Sequence, residues 1–251
     1  KFIKMFKENE EIKNLLEISG IPTHLKAIKI LREKKWPVLI SPYYYDEVSG
    51  TPREIDIVAE RIFPIGGDDS YDISKSDIAV RLFIECKYIK QRIIFWFDNI
   101  NKNKAILKLE KDTGLDVSKQ HAGFFDIGWE EFHYLRYEKV AKMFSPNKNR
   151  EDIIYKAVSQ SLTAQRSYNS NNLINKSTHR DVLKIIQYPI ILCDNFKELQ
   201  EFLGEDKTQD NTAEIISPFP IEILYNYKNT QSEYNLIDVV DINELNNFLG
   251  I

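Results

Sequence analysis

The sequence predicts an α/β protein with a mixed central β-sheet flanked by helices. Two observations carry this reading. Hydrophobic periodicity runs in the order helix, three strands, helix, strand, an alternation that packs helices against a sheet. The chain has 251 residues, 43% hydrophobic and 29% charged, which is the composition of a globular protein able to bury a substantial core.

Residues 8 to 18 read as helical. THLKAIKILREKK (23 to 35) reads as a second helix with Thr23 as N-cap, closed by the break at Trp36-Pro37. VLISPYYY (38 to 45) and REIDIVAERIF (53 to 63) read as strands joined through DEVSGTP into a hairpin. Residues 66 to 76 form a loop, DIAVRLFIECKYI (77 to 89) a third strand and RIIFWF (92 to 97) a short fourth. A mostly helical insertion occupies 98 to 149, followed by a helix at 150 to 168 and a polar, Asn-rich loop at 167 to 179. YPIILC (188 to 193) is expected as a buried strand, NFKELQEFLG (195 to 204) as a helix, and the end as strand NLIDVVD then helix INELNNFL. The whole is expected to be one domain, with core segments 19 to 97 and 150 to 204 and an acidic C-terminal extension at 205 to 251.

Cys86 and Cys193 each lie in an apolar run, where a buried free thiol is expected, and this argues for a reducing compartment. No apolar stretch approaches the roughly 20 residues that span a bilayer, and the start lacks a signal peptide's apolar core, so no membrane partner and a cytoplasmic location are expected. The net charge of -4 at first argues against nucleic acid. It is unevenly distributed: residues 1 to 138 carry -1, residues 139 to 184 carry +6 and residues 185 to 251 carry -9. A basic middle is masked by an acidic tail, and a nucleic acid is expected to approach the former and avoid the latter.

Charges inside apolar strands need a reason. In LFIECKYI, Glu85 and Lys87 project from one face of the third strand and Cys86 from the other. Burying them requires a partner, either each other or a metal. In REIDIVA, Asp56 lies between Ile55 and Ile57, with Glu54 on its face. Neighbouring strands can set Asp56 beside Glu85, where two converging carboxylates repel until a divalent hard cation relieves them. Lys87 can then stabilise developing negative charge, and the group suits metal-assisted hydrolysis of a phosphodiester. The competing reading of Glu85 and Lys87 is an ion pair at a strand end.

These residues resemble the PD-(D/E)XK, restriction-endonuclease-like nuclease superfamily. The resemblance rests on SGIP, a helix, W-x-V, YYYDEVSGTPREIDIVA and LFIECK, over about residues 19 to 97 and more weakly 150 to 193. It implies an α-β-β-β-α-β core and a Mg²⁺ (or Mn²⁺) dependent DNA endonuclease, in restriction or phage defence, with Asp56, Glu85 and Lys87 in the motif positions. RNA is the alternative substrate, and a homo-oligomer is compatible with the reading. Similar sequences place a Glu just after the Gly-x-Pro turn, where this chain has His24, so His24 takes the place of a metal, water or phosphate contact. His24, Ile28 and Leu31 recur at helical spacing, which turns His24 toward the sheet, where a core histidine is the other reading. Glu17 or Glu54 are alternative sources of the missing carboxylate.

On the helix at 150 to 168, Ile154, Val158, Ser161, Gln165 and Tyr168 form an inward stripe with Gln160 at its edge. Gln165 with Tyr168, or Gln160, resembles the family's glutamine, sometimes joined by a tyrosine, that helps place the lysine or contacts substrate; an amphipathic helix with a tolerated polar residue is the alternative. Tyr43 and Tyr45 share a strand face, and Phe95, Trp96 and Phe97 form a clump; core packing is expected for both, with base stacking by Tyr44 or Tyr45 as the alternative. A rival function for the whole chain is a degenerate nuclease fold that binds nucleic acid or a protein partner without cutting.

Overall fold

Helix α1 (Ile21–Glu33) starts two residues before the Thr23 expected to cap it. In the computed structural model of the chain, which describes residues 12–13, 15–16, 19–65, 76–113, 133–144, 153–168, 181–204, 211–225 and 233–250, Gly20 is the N-cap. Pro22 falls in the first turn, where its missing N–H leaves no bond unmade, and Thr23 is buried. The helix closes at Glu33, Lys35 takes a φ of 61°, and the Trp36 N–H returns to the Leu31 carbonyl.

Both strands of the expected hairpin break at the same level. The first divides into β1 (Val38–Ile40) and β2 (Tyr43–Asp46) around Ser41, whose φ is 48°. The second divides into β3 (Thr51–Glu54) and β4 (Ile57–Ile65) around Ile55 and Asp56. β1 pairs antiparallel with β4, whereas β2 and β3 form a separate two-stranded hairpin. Pro42 has no N–H for a ladder, and the Ser41 N–H donates to the Asp56 carbonyl across the break.

The remaining elements are β5 (Ser76–Lys87), β6 (Ile93–Asn99), α2 (Lys102–Thr113), a 3-10 turn at His133–Arg136, β7 (Lys139–Phe144), α3 (Ile153–Ser167), β8 (Asp181–Cys193), β9 (Leu199–Phe202), β10 (Thr212–Glu214), β11 (Phe219–Tyr225), β12 (Glu233–Asp241) and α4 (Leu245–Phe248). They complete a ten-stranded mixed sheet in the order β1-β4-β5-β8-β12-β11-β7-β6-β9-β10. The β4–β5 pair is antiparallel, and β8 returns parallel to β5 after α3.

Alternation sorts the side chains into layers. One face carries Leu82, Ile84, Cys86, Ile190, Leu192 and Val240 under α1 and α4. Along β12 the same face presents Leu236, which packs with Ala105 of α2 and Leu135 of the 3-10 turn. The opposite face carries Ile191, Cys193, Ile237 and Val239 under Ile154, Ala157, Val158 and Leu162 of α3. Phe83 lies on this face too, with Ala164, Tyr44 and Tyr168. Both cysteines are buried and unpaired, as expected.

Several elements differ from the expectation. Residues 195 to 204 are not a helix: Leu199–Phe202 pairs parallel with β6, whose edge supplies hydrogen bonds that override helical spacing. The span 98 to 149 contains β7 beside α2. The final helix is one turn, and β10 and β11 have no counterpart in the sequence reading. The segment after 205 supplies β12, which lies between β8 and β11 in the middle of the sheet. The tail's position also alters the charge picture: Lys142 of the basic segment pairs with Glu222 of the acidic one, and Arg166 reaches Glu233 at 3.5 Å. The basic and acidic stretches are interleaved, so the expected separation into an attracting side and an avoided tail does not hold for these residues. Most of the expected loops, at 66–75 and 169–180, lies outside the described residues, and so does Glu17.

Candidate active site

The β4–β5 ladder ends on the pair Ile57 and Ile84. Asp56 and Glu85, the next residue on each strand, therefore meet where β4 breaks away. The Asp56 carboxylate Oδ2 accepts the Cys86 backbone N–H at 2.7 Å, so a side chain takes over where the backbone ladder stops. Glu85 is 1% exposed, and its Oε2 accepts from Lys87 Nζ at 2.7 Å. Its Oε1 is buried without a hydrogen-bond partner. Such an orphaned oxygen is costly, because the desolvation penalty is not recovered.

Burial is the main cause that raises the Glu85 carboxyl to about 7; Lys87 opposes it and the neighbouring Asp56 charge adds to it. A buried carboxyl poised near neutrality beside a second carboxylate is a common property of functional sites.

Lys87 also approaches Gln160 Oε1 of α3 at 3.5 Å. Of the two glutamines singled out from the sequence, Gln160 is therefore the one that reaches the lysine. Gln165 is buried one turn further along the inward stripe, as its spacing predicts. Tyr168 ends the helix by donating its hydroxyl to the Tyr43 carbonyl at 2.9 Å.

His24 comes from the helix on the other side of the sheet from α3. It lies on α1, which covers the Cys86 face, whereas Lys87 and Gln160 meet on the α3 face. His24 Nε2 is buried and unpartnered, and among the described residues no group of three or more His, Cys, Asp and Glu is close enough to hold a metal ion. Of the expected set, Asp56 and Glu85 meet at the strand end, and His24 stands one turn into α1, its N–H donating to the carbonyl of Gly20. α1 still bears on the site: a Cβ on Gly20 would lie 3.2 Å from the Cys86 carbonyl oxygen, so the helix start is seated against the strand between Glu85 and Lys87.

No family model, curated protein or solved structure matches this chain.

Two further charged pairs were not singled out from the sequence. Glu60 and Arg81 are register partners on β4 and β5, with Arg81 wholly buried. Arg81 binds Glu60 at 2.5 Å and donates to the Tyr168 carbonyl at 2.6 Å, which places a cation at the C-terminal end of α3. His133 Nε2 lies 2.9 Å from Oδ1 of Asp238, a fully buried residue of β12. The rings of Tyr134, Tyr137, Tyr188 and Phe248 surround His133 at 4.9 to 5.5 Å. The signal available for both pairs was the one that exposed Glu85, an ionisable residue inside an apolar strand.

The tyrosines also depart from the expectation. Tyr44 is buried, while Tyr43 is 68% and Tyr45 59% exposed. Phe95 is buried, but Trp96 is exposed, because the strand alternates and the clump cannot all face inward.

Proposed function

We propose that the protein is a metal-dependent nuclease that hydrolyses phosphodiester bonds at Asp56, Glu85 and Lys87. The observation that carries the reading is the meeting of two carboxylates and an ammonium where β4 parts from β5, with one Glu85 oxygen buried and unpartnered. An unpartnered hard oxygen beside a second carboxylate fits Mg²⁺ or Mn²⁺, because Mg²⁺ is commonly bound through one or two carboxylates and retains several waters. When bound, such an ion supplies Lewis acidity and an activated water.

The chain's own residues supply the rest. Asp56 and Glu85 hold negative charge at the strand end, and the Cys86 N–H fixes the orientation of Asp56. Lys87, held by Glu85 and approached by Gln160, presents an ammonium to charge that develops on a phosphate oxygen. The sheet order β4-β5-β8, with α1 and α3 on opposite faces, agrees with the αβββαβ arrangement that the nuclease resemblance implies. Incubation with plasmid and linear DNA in Mg²⁺ or Mn²⁺ tests the reading: the wild type cuts, and Lys87→Ala and Asp56→Ala do not. Cleavage that persists undiminished in both variants refutes it.

A second reading, a fold that binds nucleic acid without cutting, is favoured by one observation: among the described residues no group of three or more His, Cys, Asp and Glu is placed to hold a metal ion. Calorimetric titration separates the two. Stoichiometric Mn²⁺ uptake that is lost in Glu85→Gln supports the nuclease, and DNA binding indifferent to metal and to Glu85 supports the module.

A further inference from the structure

We infer that the turn between β5 and β6 grips the phosphodiester backbone, with Lys90 and Arg92 each holding a phosphate that neighbours the one presented to Lys87. This rests on the nuclease reading of the adjoining site.

The turn leaves β5 at Lys87, and from there to Phe97 the chain carries three cations, Lys87, Lys90 and Arg92, and no acidic residue. Lys90, Gln91 and Arg92 form an exposed crest between two buried residues, Ile89 and Ile93. Both ends of the crest are fixed. The Ile89 N–H donates to Asp194 Oδ1 at 2.9 Å, and the Asp194 N–H returns to the Lys87 carbonyl at 3.0 Å. On the far side the Ile93 N–H donates to the Glu198 carbonyl at 2.7 Å. Lys90 Nζ lies over the Tyr88 ring, 5.3 Å from its centroid, which limits where the ammonium can go. A backbone fixed on both sides lowers the ordering cost of binding an anion at its crest.

These two cations differ from others in the chain in having no carboxylate to answer them. Arg53, Arg81, Lys142 and Arg166 are each paired with one. Among the described residues, no carboxylate lies within ion-pair reach of Lys90 or Arg92. Asp194 turns its carboxylate to the Ile89 N–H and the Asn195 amide, and Glu198 meets the turn through its backbone. A phosphodiester brought to Asp56 and Glu85 meets carboxylate charge, so its approach needs cations beside the site as well as in it. Lys90 and Arg92 stand three and five residues beyond Lys87, within reach of phosphates next to the scissile one.

Fluorescence anisotropy of two labelled duplexes of unrelated sequence, in EDTA and from about 50 to 200 mM salt, tests the grip without cleavage. The affinity of the wild type should fall with salt. Lys90→Ala and Arg92→Ala should each make the slope of log affinity against log salt shallower by about 0.9, the change expected for one lost phosphate contact. Both duplexes should weaken alike, because backbone contacts carry no sequence information. Lys90→Arg should bind as the wild type does. Lys102→Ala, which removes an exposed cation from α2, should leave the slope unchanged. The grip is overturned if the wild type binds neither duplex, or if the alanine variants at 90 and 92 keep the wild-type slope. It is equally overturned if Lys102→Ala lowers the slope as much, which would trace the effect to total charge. The nuclease reading is judged separately, by Mg²⁺-dependent cleavage in wild type and its loss in Lys87→Ala, so either can fail alone.

Discussion

The Asp56 carboxylate accepts the backbone N–H of Cys86, the residue between Glu85 and Lys87. One side chain thus terminates a sheet ladder and faces the proposed site. These two roles separate by substitution. Asp56→Asn retains a carbonyl oxygen for the Cys86 N–H and should cost about 1 kcal/mol or less, whereas Asp56→Ala leaves that N–H unmet and should cost about 2 kcal/mol. Both should abolish cleavage. Urea unfolding beside a plasmid assay checks this; an Asn variant that cuts normally would reduce Asp56 to a structural cap.

Glu85 should make stability depend on pH. In the unfolded chain it loses its proton near 4.5, and in the folded protein near 7. Between those values the folded state holds the extra proton, so stability falls as pH rises from about 4.5 to 7 and this contribution is flat on either side. Glu85→Gln should flatten that segment of the curve. Urea midpoints measured in EDTA across the range provide the check. By the same linkage, Mg²⁺ uptake near pH 6 should release a proton, which calorimetry in buffers of differing ionisation enthalpy detects.

Gly20→Ala should disturb the site from outside. The added Cβ would press on the Cys86 carbonyl at 3.2 Å, and that backbone cannot give way without moving Glu85 and Lys87. A cost of about 1 kcal/mol is expected from overpacking, with a fall in cleavage larger than the change in stability explains. Activity measured well below the unfolding midpoint distinguishes the two effects.

His133 and Asp238 should stabilise the fold at low pH. Asp238 raises the His133 imidazole above its ordinary 6.5 against the opposing effect of burial. The pair's contribution is complete below about 6.5 and is lost as pH rises through the raised value. Asp238→Asn should remove this slope and lower the urea midpoint most at acidic pH, leaving Lys87-dependent cleavage in place. An unchanged slope would refute the coupling.

The sheet and its site were legible from the sequence to different depths. Alternation in LFIECK put Cys86 opposite Glu85 and Lys87, and that division is observed because it depends only on the strand period. The meeting of Asp56 with Glu85 was legible for the same reason. The period does not say which face is wet: Tyr43 and Tyr45 share a face as alternation predicts, yet both are exposed, because the hairpin carrying them leaves the sheet. Nor was the break at Ile55 and Asp56 visible, since the apolar alternation runs through it and a side-chain carboxylate replaces the missing ladder bond. The stripe of α3 gave the helix face but could not choose between Gln160 and Gln165, because reach to Lys87 depends on how the helix is rotated over β5.

The position of β12 has a kinetic consequence. It follows every other described strand in sequence, yet β8 lies on one side of it and β11 on the other. Until it emerges from the ribosome, the sheet exists as two separate pieces with unpaired edges, and contacts of long sequence separation must form late. Such a topology folds slowly and exposes sticky edges meanwhile. Residues 76 to 193, which bring β5, α3 and β8 together, would wait for this strand before their packing is complete, so a growing chain would not carry a finished site.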